Sequence, residues 1–165
     1  MSVYESLFAQ LAEANVRYVV VGGVAVVLQG YARLTADLDL VVDLEPENAR
    51  RAISVLETSG LEPFVPVRAA DFADPAIRRD WVENKNMKVF SMRDPRNPVL
   101  TVDLFVREPI PFEDLWARAT RVEVGGHAVP IASIADLILM KRAVGRPQDM
   151  IDVENLETIQ RERAR

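Results

Sequence analysis

The chain predicts an α/β (α+β) fold built on a mixed β-sheet with flanking helices, and three observations predict it. β-branched apolar runs alternate with stretches of helical spacing along the 165 residues. Asp94-Pro95-Arg96-Asn97-Pro98 separates two strand-like runs and reads as a hairpin turn. Gly125-Gly126 does the same between Arg121–Val124 and His127–Ile131, and is the strongest two-residue hairpin signal present. Strands joined partly through helices and partly through hairpins give a sheet that is mixed, not purely parallel.

The elements follow in order. Val3 to Ala14 places Val3, Tyr4, Leu7, Phe8 and Leu11 on one helical side. Arg17 to Val21 is a buried strand ending at Gly22-Gly23, and Val24 to Leu28 is a short apolar helix packed on the sheet. Gly30 to Arg33 is a loop, and Leu38 to Val42 is the second strand. Pro46-Glu47-Asn48 opens a helix that runs to about Thr58 and stops before Gly60. Residues 61–86 carry the weakest pattern, with a short helix expected from Asp74-Pro75 to Trp81. Met87–Met92 and Pro98–Val106 are strands, and Phe112–Ala119 is a short helix. Ser133, with Asp136 three residues on, starts a helix over Ile134 to about Val144 in the manner of a capping box. A last helix follows Pro147, with Ile151, Leu156 and Ile159 expected to be buried.

Length and composition fit one domain over residues 1–165, with 1–131 as the α/β core and 132–165 as a short C-terminal helical segment that completes it. The absence of cysteine excludes disulfides, thiolate zinc sites and cysteine nucleophiles. Apolar runs such as Tyr18 to Val27 are too short to span a bilayer, and the N-terminus has no basic n-region, so no membrane association and a cytoplasmic protein are expected. A net charge of −5 argues against a generally basic nucleic-acid surface. His127 is the only histidine and is expected to be exposed beside its hairpin turn, which excludes serine–histidine hydrolysis and histidine-rich metal sites.

Chemistry concentrates in Val21-Gly22-Gly23-Val24 and Arg33-Leu34-Thr35-Ala36-Asp37-Leu38-Asp39. Asp37 and Asp39 are two residues apart, so on a strand they share a face, while Leu38 and Leu40 point into the core. Their Cα atoms are then roughly 6–7 Å apart, close enough to hold one hard divalent cation or to flank two. A glycine turn followed by a two-carboxylate strand suits metal-dependent chemistry on a nucleotide. Asp103 lies in an otherwise apolar strand, where a carboxylate is expensive unless paired or metal-bound. If that strand neighbours Asp37 and Asp39, three carboxylates converge. The competing reading of Asp103 is an edge-strand acid facing water. Lys141 is one of only three lysines in an arginine-rich chain, which suits a compact ammonium charge at a phosphate; the competing reading is a solvated helix residue or a surface ion pair. Arg33 and Thr35 either touch substrate or orient the loop and bond its carboxylates. Trp81 and Trp116 read as core residues in preference to base-stacking platforms.

The order Gly22-Gly23, Arg33-x-Thr35-x-Asp37-x-Asp39, Asp103, then Lys141-x4-Arg146-x2-Asp149-x2-Asp152 resembles the nucleotidyltransferase fold of the DNA polymerase β type. Its nearest resemblance is to the AbiEii-like nucleotidyltransferases of toxin–antitoxin and phage-defence systems. The resemblance implies transfer of an NMP from an NTP, with Mg2+ as cofactor, two ions, and Mn2+ able to stand in. It implies metal binding by Asp37, Asp39 and Asp103, with Asp103 also helping to activate the acceptor hydroxyl. Gly22, Gly23, Arg33, Thr35, Lys141 and Arg146 would then bind the nucleotide, and Lys141 would complete the catalytic set with the three acids. Asp149 and Asp152 match the tail of the pattern without an assigned step; pairing with Arg146 to fix the last helix is the role their spacing offers. Much of the superfamily has Gly-Ser in the phosphate turn where this chain has Gly-Gly. The acceptor implied is a hydroxyl on a tRNA end, a protein or a small molecule. A cognate antitoxin or a homodimer is the partner that would complete a chain this short. The alternative is a non-catalytic nucleotide- or partner-binding module that keeps the fold.

Overall fold

A computed structural model describes residues 3–165, with Val3 described by its backbone alone. The Val3 side chain, assigned above to the buried side of the first helix, lies outside the described residues. The elements are α1 (Val3–Glu13), β1 (Tyr18–Val21), α2 (Gly22–Leu28), β2 (Asp37–Val42), α3 (Pro46–Thr58), β3 (Glu62–Pro63), a 3₁₀ turn (Ala69–Ala73) and α4 (Pro75–Lys85). They continue with β4 (Val89–Asp94), β5 (Asn97–Phe105), α5 (Phe112–Arg118), β6 (Thr120–Val124), β7 (His127–Ile131), α6 (Ile134–Val144) and α7 (Pro147–Arg163).

The seven strands form one mixed sheet in the order β3-β4-β5-β2-β1-β7-β6. β1 pairs antiparallel with β2 and parallel with β7, and β2 pairs parallel with β5. Both expected hairpins form, β4–β5 and β6–β7. β5 is therefore an inner strand, and the edge-strand reading of Asp103 is excluded. The core is the apolar half of this sheet: Val19, Val20, Val21, Leu38, Leu40, Phe90, Val102, Leu104 and Ile131 are almost fully buried. Leu7, Phe8 and Leu11 of α1 join it, as does Trp81 of α4, which stacks on Phe90.

Local chemistry explains most boundaries. Glu45 accepts from the backbone N–H groups of Glu47 and Asn48, and Pro46 supplies the preset φ of a first helical residue. Asp74 caps α4 in the same way, so that helix runs to Lys85 and ends at Asn86 in the left-handed region, longer than its sequence pattern predicts. Ser133 caps α6 through the Asp136 N–H. Three expectations are corrected. Ile151 is 46% exposed, and the buried face of α7 is Asp149, Asp152, Val153 and Leu156, because that helix packs by ion pairing as well as by apolar contact. Trp116 is only half-buried, with the Arg17 and Arg121 guanidinium groups over its ring. His127 is half-buried, not exposed. Among the described residues no helix is long and apolar enough to cross a membrane.

Candidate active site

The parallel pairing of β2 and β5 sets Asp39 directly opposite Asp103, and Asp37 opposite Thr101. Register partners on neighbouring strands share a face, and so do residues two apart. Asp37, Asp39 and Asp103 thus stand on one face of adjacent inner strands. Burial comes first among the forces that push the Asp39 carboxyl up to about 7; the charges of Asp103 and Asp37 add to it, and Lys141 and Arg146 oppose them. Asp103 is also raised, by burial and by Asp37, against a hydrogen bond donated by Ser91 Oγ at 2.5 Å.

The glycine pair is shaped to these acids. Gly22 has φ +65°, and a Cβ there would lie 2.0 Å from Asp39 Oδ2. A Cβ on Gly23 would lie 2.3 Å from Thr35 Oγ1 and 3.0 Å from an Arg33 guanidinium nitrogen. The turn is glycine because the carboxylate and the loop before it occupy the space that side chains would need. Tyr4 of α1 fixes the other end of that loop, its hydroxyl donating to the Ala36 carbonyl at 2.7 Å.

An ionic chain, buried at Lys141, Asp149 and Asp152 and exposed at Arg146, runs beside the acids. Arg33 donates twice to Asp152, each bond 2.8 Å. Lys141 Nζ is 2.7 Å from Asp152 and 3.1 Å from Asp149, and Arg146 Nε donates to Asp149 at 2.7 Å. Asp152 is fully buried. Burial alone would raise both aspartates, but Arg146 and Lys141 at Asp149, and Arg33, Lys141 and Gln148 at Asp152, outweigh it and hold them below the ordinary carboxylate value. The cations nearest the β2 acids are thus committed to α7. The Asp37 and Asp39 carboxylates accept no hydrogen bond and form no ion pair among the described residues. That is the donor chemistry of a hard dication site: like-charged oxygens without a paired protein cation, those of Asp39 partly desolvated. Among the described residues no three acids are already grouped around one cation position.

A cavity of about 270 Å³ opens next to Asp39 and Gly22, between the sheet (Val21, Phe105) and α6 (Leu137, Met140, Lys141). Its walls are mainly apolar.

Residues 3–162 match the family model described as "Nucleotidyltransferase of unknown function (DUF6036)". The chain belongs to this nucleotidyltransferase family. That description does not name the AbiEii-like branch. No curated protein matches the chain. Among solved structures, the nucleotidyltransferase is similar to lincosamide antibiotic adenylyltransferase LnuA, lincomycin-bound, with 17% identity, 95% of this chain and 96% of that one covered, and a TM-score of 0.64. It is similar to an antigenic nucleotidyltransferase-like protein from Paracoccidioides brasiliensis (18% identity, 95% and 73% covered, TM-score 0.58). It is also similar to ANT(2")-Ia in complex with adenylyl-2"-tobramycin (15% identity, 98% and 93% covered, TM-score 0.57). At these identities the likeness is one of fold.

In the nucleotidyltransferase the residues singled out by sequence fall into two groups. Gly22, Gly23, Asp37, Asp39 and Asp103 meet at the junction of β1, β2 and β5. Lys141, Arg146, Asp149 and Asp152 meet one layer away, joined to the loop through Arg33. Thr35 lies against Gly23. Arg78 donates to the Phe72 and Leu44 carbonyls and Arg142 pairs with Glu157, so neither joins Arg33 and Arg146 beside the site. Tyr4 and Ser91 were not foreseen, because each reaches the site only through tertiary pairing.

Proposed function

We propose that the protein transfers an NMP from an NTP to a hydroxyl acceptor in a Mg2+-dependent reaction. The observation that supports this most directly is the uncompensated carboxylate face: Asp37 and Asp39 have no cation of their own while three cations beside them are bound elsewhere. Asp37, Asp39 and Asp103 would hold Mg2+, or Mn2+ in its place, with two ions as the full complement. Bound there, the metal would supply charge neutralisation for the triphosphate.

The chain's own groups supply the rest. Gly22-Gly23 lets backbone approach the phosphates. Asp103, held by Ser91, accepts the acceptor's proton. The acceptor oxygen forms a bond to the α-phosphorus as the bond to the β-phosphate bridging oxygen breaks, and the electron pair leaves with pyrophosphate. Positioning and electrostatics provide most of the acceleration. Arg33 and Thr35 orient the loop against Gly23. Lys141 and Arg146 act through their field on Asp39 and the phosphates, Lys141 from inside its pairs with Asp149 and Asp152. Residues 1–131 form the catalytic core in this reading, and 132–165 wall the acceptor side of the site as part of the same domain.

The acceptor is an RNA, protein or small-molecule hydroxyl. The names of LnuA and of the tobramycin adduct favour a small molecule. The AbiEii-like motif order extends the proposal to a cytoplasmic toxin or phage-defence enzyme with a cognate antitoxin or a second copy as partner. A second reading, a nucleotide- or partner-binding module without catalysis, is favoured by one observation: no three acids are pre-grouped around one cation position among the described residues.

Thermal shift with each of the four NTPs, with and without Mg2+, together with pyrophosphate release assayed over RNA, protein and small-molecule hydroxyls, separates the two readings when run on wild type and on the Asp37→Ala/Asp39→Ala double variant. Mg2+-dependent stabilisation and pyrophosphate release that are both lost in the variant support the enzyme reading, and stabilisation without pyrophosphate release supports the binding module. No nucleotide response in a folded wild type overturns the enzyme reading.

A further inference from the structure

The mainly apolar cavity beside Asp39 is the first of three that share lining residues in series. A second, of about 410 Å³, shares Phe105, Pro109 and Ala143 with it and adds Lys88 and Arg107. A third, of about 500 Å³, shares Val82, Val106, Arg107 and Glu108 with the second and adds Arg78 and Arg79. Chain geometry explains the line they follow. β5 runs from Asp103 through Phe105 to its end, and Arg107 follows two residues later. The Val106 N–H donates to the Lys88 carbonyl at 3.2 Å, which brings Lys88 to the same end of the groove.

Polarity changes along it. Near Asp39 the walls are mainly apolar, with Val21, Phe105, Ile110, Leu137 and Met140, and the Lys141, Arg146 and Asp149 ion pairs form one side. At the far end four cations, Lys88, Arg107, Arg78 and Arg79, face two acids, Glu83 and Glu108. Arg78 is buried and donates to backbone carbonyls. Lys88, Arg107 and Arg79 are exposed and form no ion pair or side-chain hydrogen bond among the described residues. They differ in this from Arg33, Lys141 and Arg146, each held by aspartate. In a chain of net charge −5, unpaired cations gathered at one end of a cleft form a local anion site.

We infer that this groove receives the acceptor, and that the acceptor is a small molecule with a hydroxyl at the Asp103 end, an apolar body and an anionic group held by Lys88 and Arg107. The inference rests on the nucleotidyltransferase reading and names its substrate class. The transfer is the one given above: the hydroxyl oxygen bonds to the α-phosphorus, its proton goes to Asp103, and pyrophosphate leaves with the electron pair. Arg107 is four residues on from Asp103, so their Cα atoms are at most about 13 Å apart at about 3.3 Å per residue, which sets the scale of the acceptor's length. A polycation such as tobramycin would meet like charge at the far end.

The test uses ω-hydroxy carboxylates of increasing chain length, their neutral methyl esters, and tobramycin. Binding is measured by calorimetry without nucleotide, and transfer with radiolabelled NTP and Mg2+. The proteins are wild type and the Lys88→Glu/Arg107→Glu variant, whose changes are on the surface and leave the fold intact. The expected result is binding of the carboxylate at least about tenfold tighter than its ester in wild type, with a length optimum, and loss of that preference in the variant. Mg2+–NTP stabilisation should be the same in both proteins. Equal binding of acid and ester, tighter binding of tobramycin, or an unchanged preference in the variant overturns the inference. So does transfer to a single-stranded oligoribonucleotide with none to the hydroxy acids. Loss of the Mg2+–NTP response in wild type would overturn the parent reading separately, since the calorimetry does not depend on it.

Discussion

Gly22 and Asp39 interlock: the position a Gly22 side chain would take is 2.0 Å from Asp39 Oδ2, and Gly22 sits at φ +65°. Two costs follow for Gly22→Ala. The left-handed backbone costs roughly 1 kcal/mol with a Cβ present, and the carboxylate must leave its place. The variant should be destabilised by about 2–4 kcal/mol, combining backbone strain with overpacking, and should lose Mg2+–NTP binding. A double-mutant cycle with Asp39→Ala checks the cause by chemical denaturation. In the Asp39→Ala background the penalty should fall to the backbone part, about 1 kcal/mol. An undiminished penalty would show that the carboxylate is not what the side chain meets.

Tyr4 ties α1 to the residue before Asp37, through its hydroxyl and the Ala36 carbonyl. Burial raises the Tyr4 phenol, and Asp37 and Asp39 raise it further, so it stays protonated and donates throughout the working pH range. Tyr4→Phe removes one hydrogen bond and should cost about 1 kcal/mol. The larger effect should be on Mg2+ dependence: the concentration for half-maximal NTP stabilisation should rise several-fold with little change in the maximum. An unchanged Mg2+ titration would separate Tyr4 from the site.

Asp152 holds Arg33 and Lys141 with no solvent exposure. Asp152→Asn keeps the shape and removes the charge, leaving two cations inadequately paired; removing one partner of a buried pair costs about 3–5 kcal/mol. The exposed pair Arg142–Glu157 is the control, and Arg142→Ala should cost under about 1 kcal/mol. The sign with pH also follows. Asp149 and Asp152 titrate below their ordinary value in the folded chain, so their stabilisation is full above that value and lost as pH falls through the lowered ones. Acid denaturation of Asp152→Asn should therefore show a shallower stability slope below pH ~4 than wild type.

What the sequence displayed and what it hid divide along the distance over which each signal acts. Asp37-x-Asp39, the Gly22-Gly23 turn and both hairpins are local patterns, and each takes the form its spacing predicts. The alignment of Asp103 with Asp39 is a register between strands about sixty residues apart, which periodicity cannot specify. Lys141 shows the same limit. Its rarity marked it, but its two partners lie on another helix, and residue type alone does not separate a phosphate contact from a buried ion pair. α7 was misjudged because Ile151 fits an apolar stripe, whereas Asp149 and Asp152, read as polar, are buried by their cations. β3 is too short to carry a pattern, and α4 outruns its own because its length rests on capping at Asp74 and Asn86.

Asp39 gives a pH signature opposite in sign to that of Asp152. Burial first, then Asp103 and Asp37, push its carboxyl up to about 7 in the folded protein. Folding therefore favours the protonated form. The favourable contribution is complete below the unfolded value, near 3.8, and is lost as pH rises through 7. Without metal, Asp39→Asn should gain stability relative to wild type between pH ~4 and ~7, reaching above that a plateau of up to about 4 kcal/mol, reduced by solvent screening of the half-buried carboxylate. Adding Mg2+ should reverse the ranking above neutrality, because the cation stabilises the ionised carboxylate of wild type and has one ligand fewer in the variant. Thermal melts across this pH range, with and without Mg2+, carry the whole prediction. A variant that tracks wild type at every pH would mean that Asp39 is already ionised at acid pH, and would remove the charge frustration from the argument for a metal site.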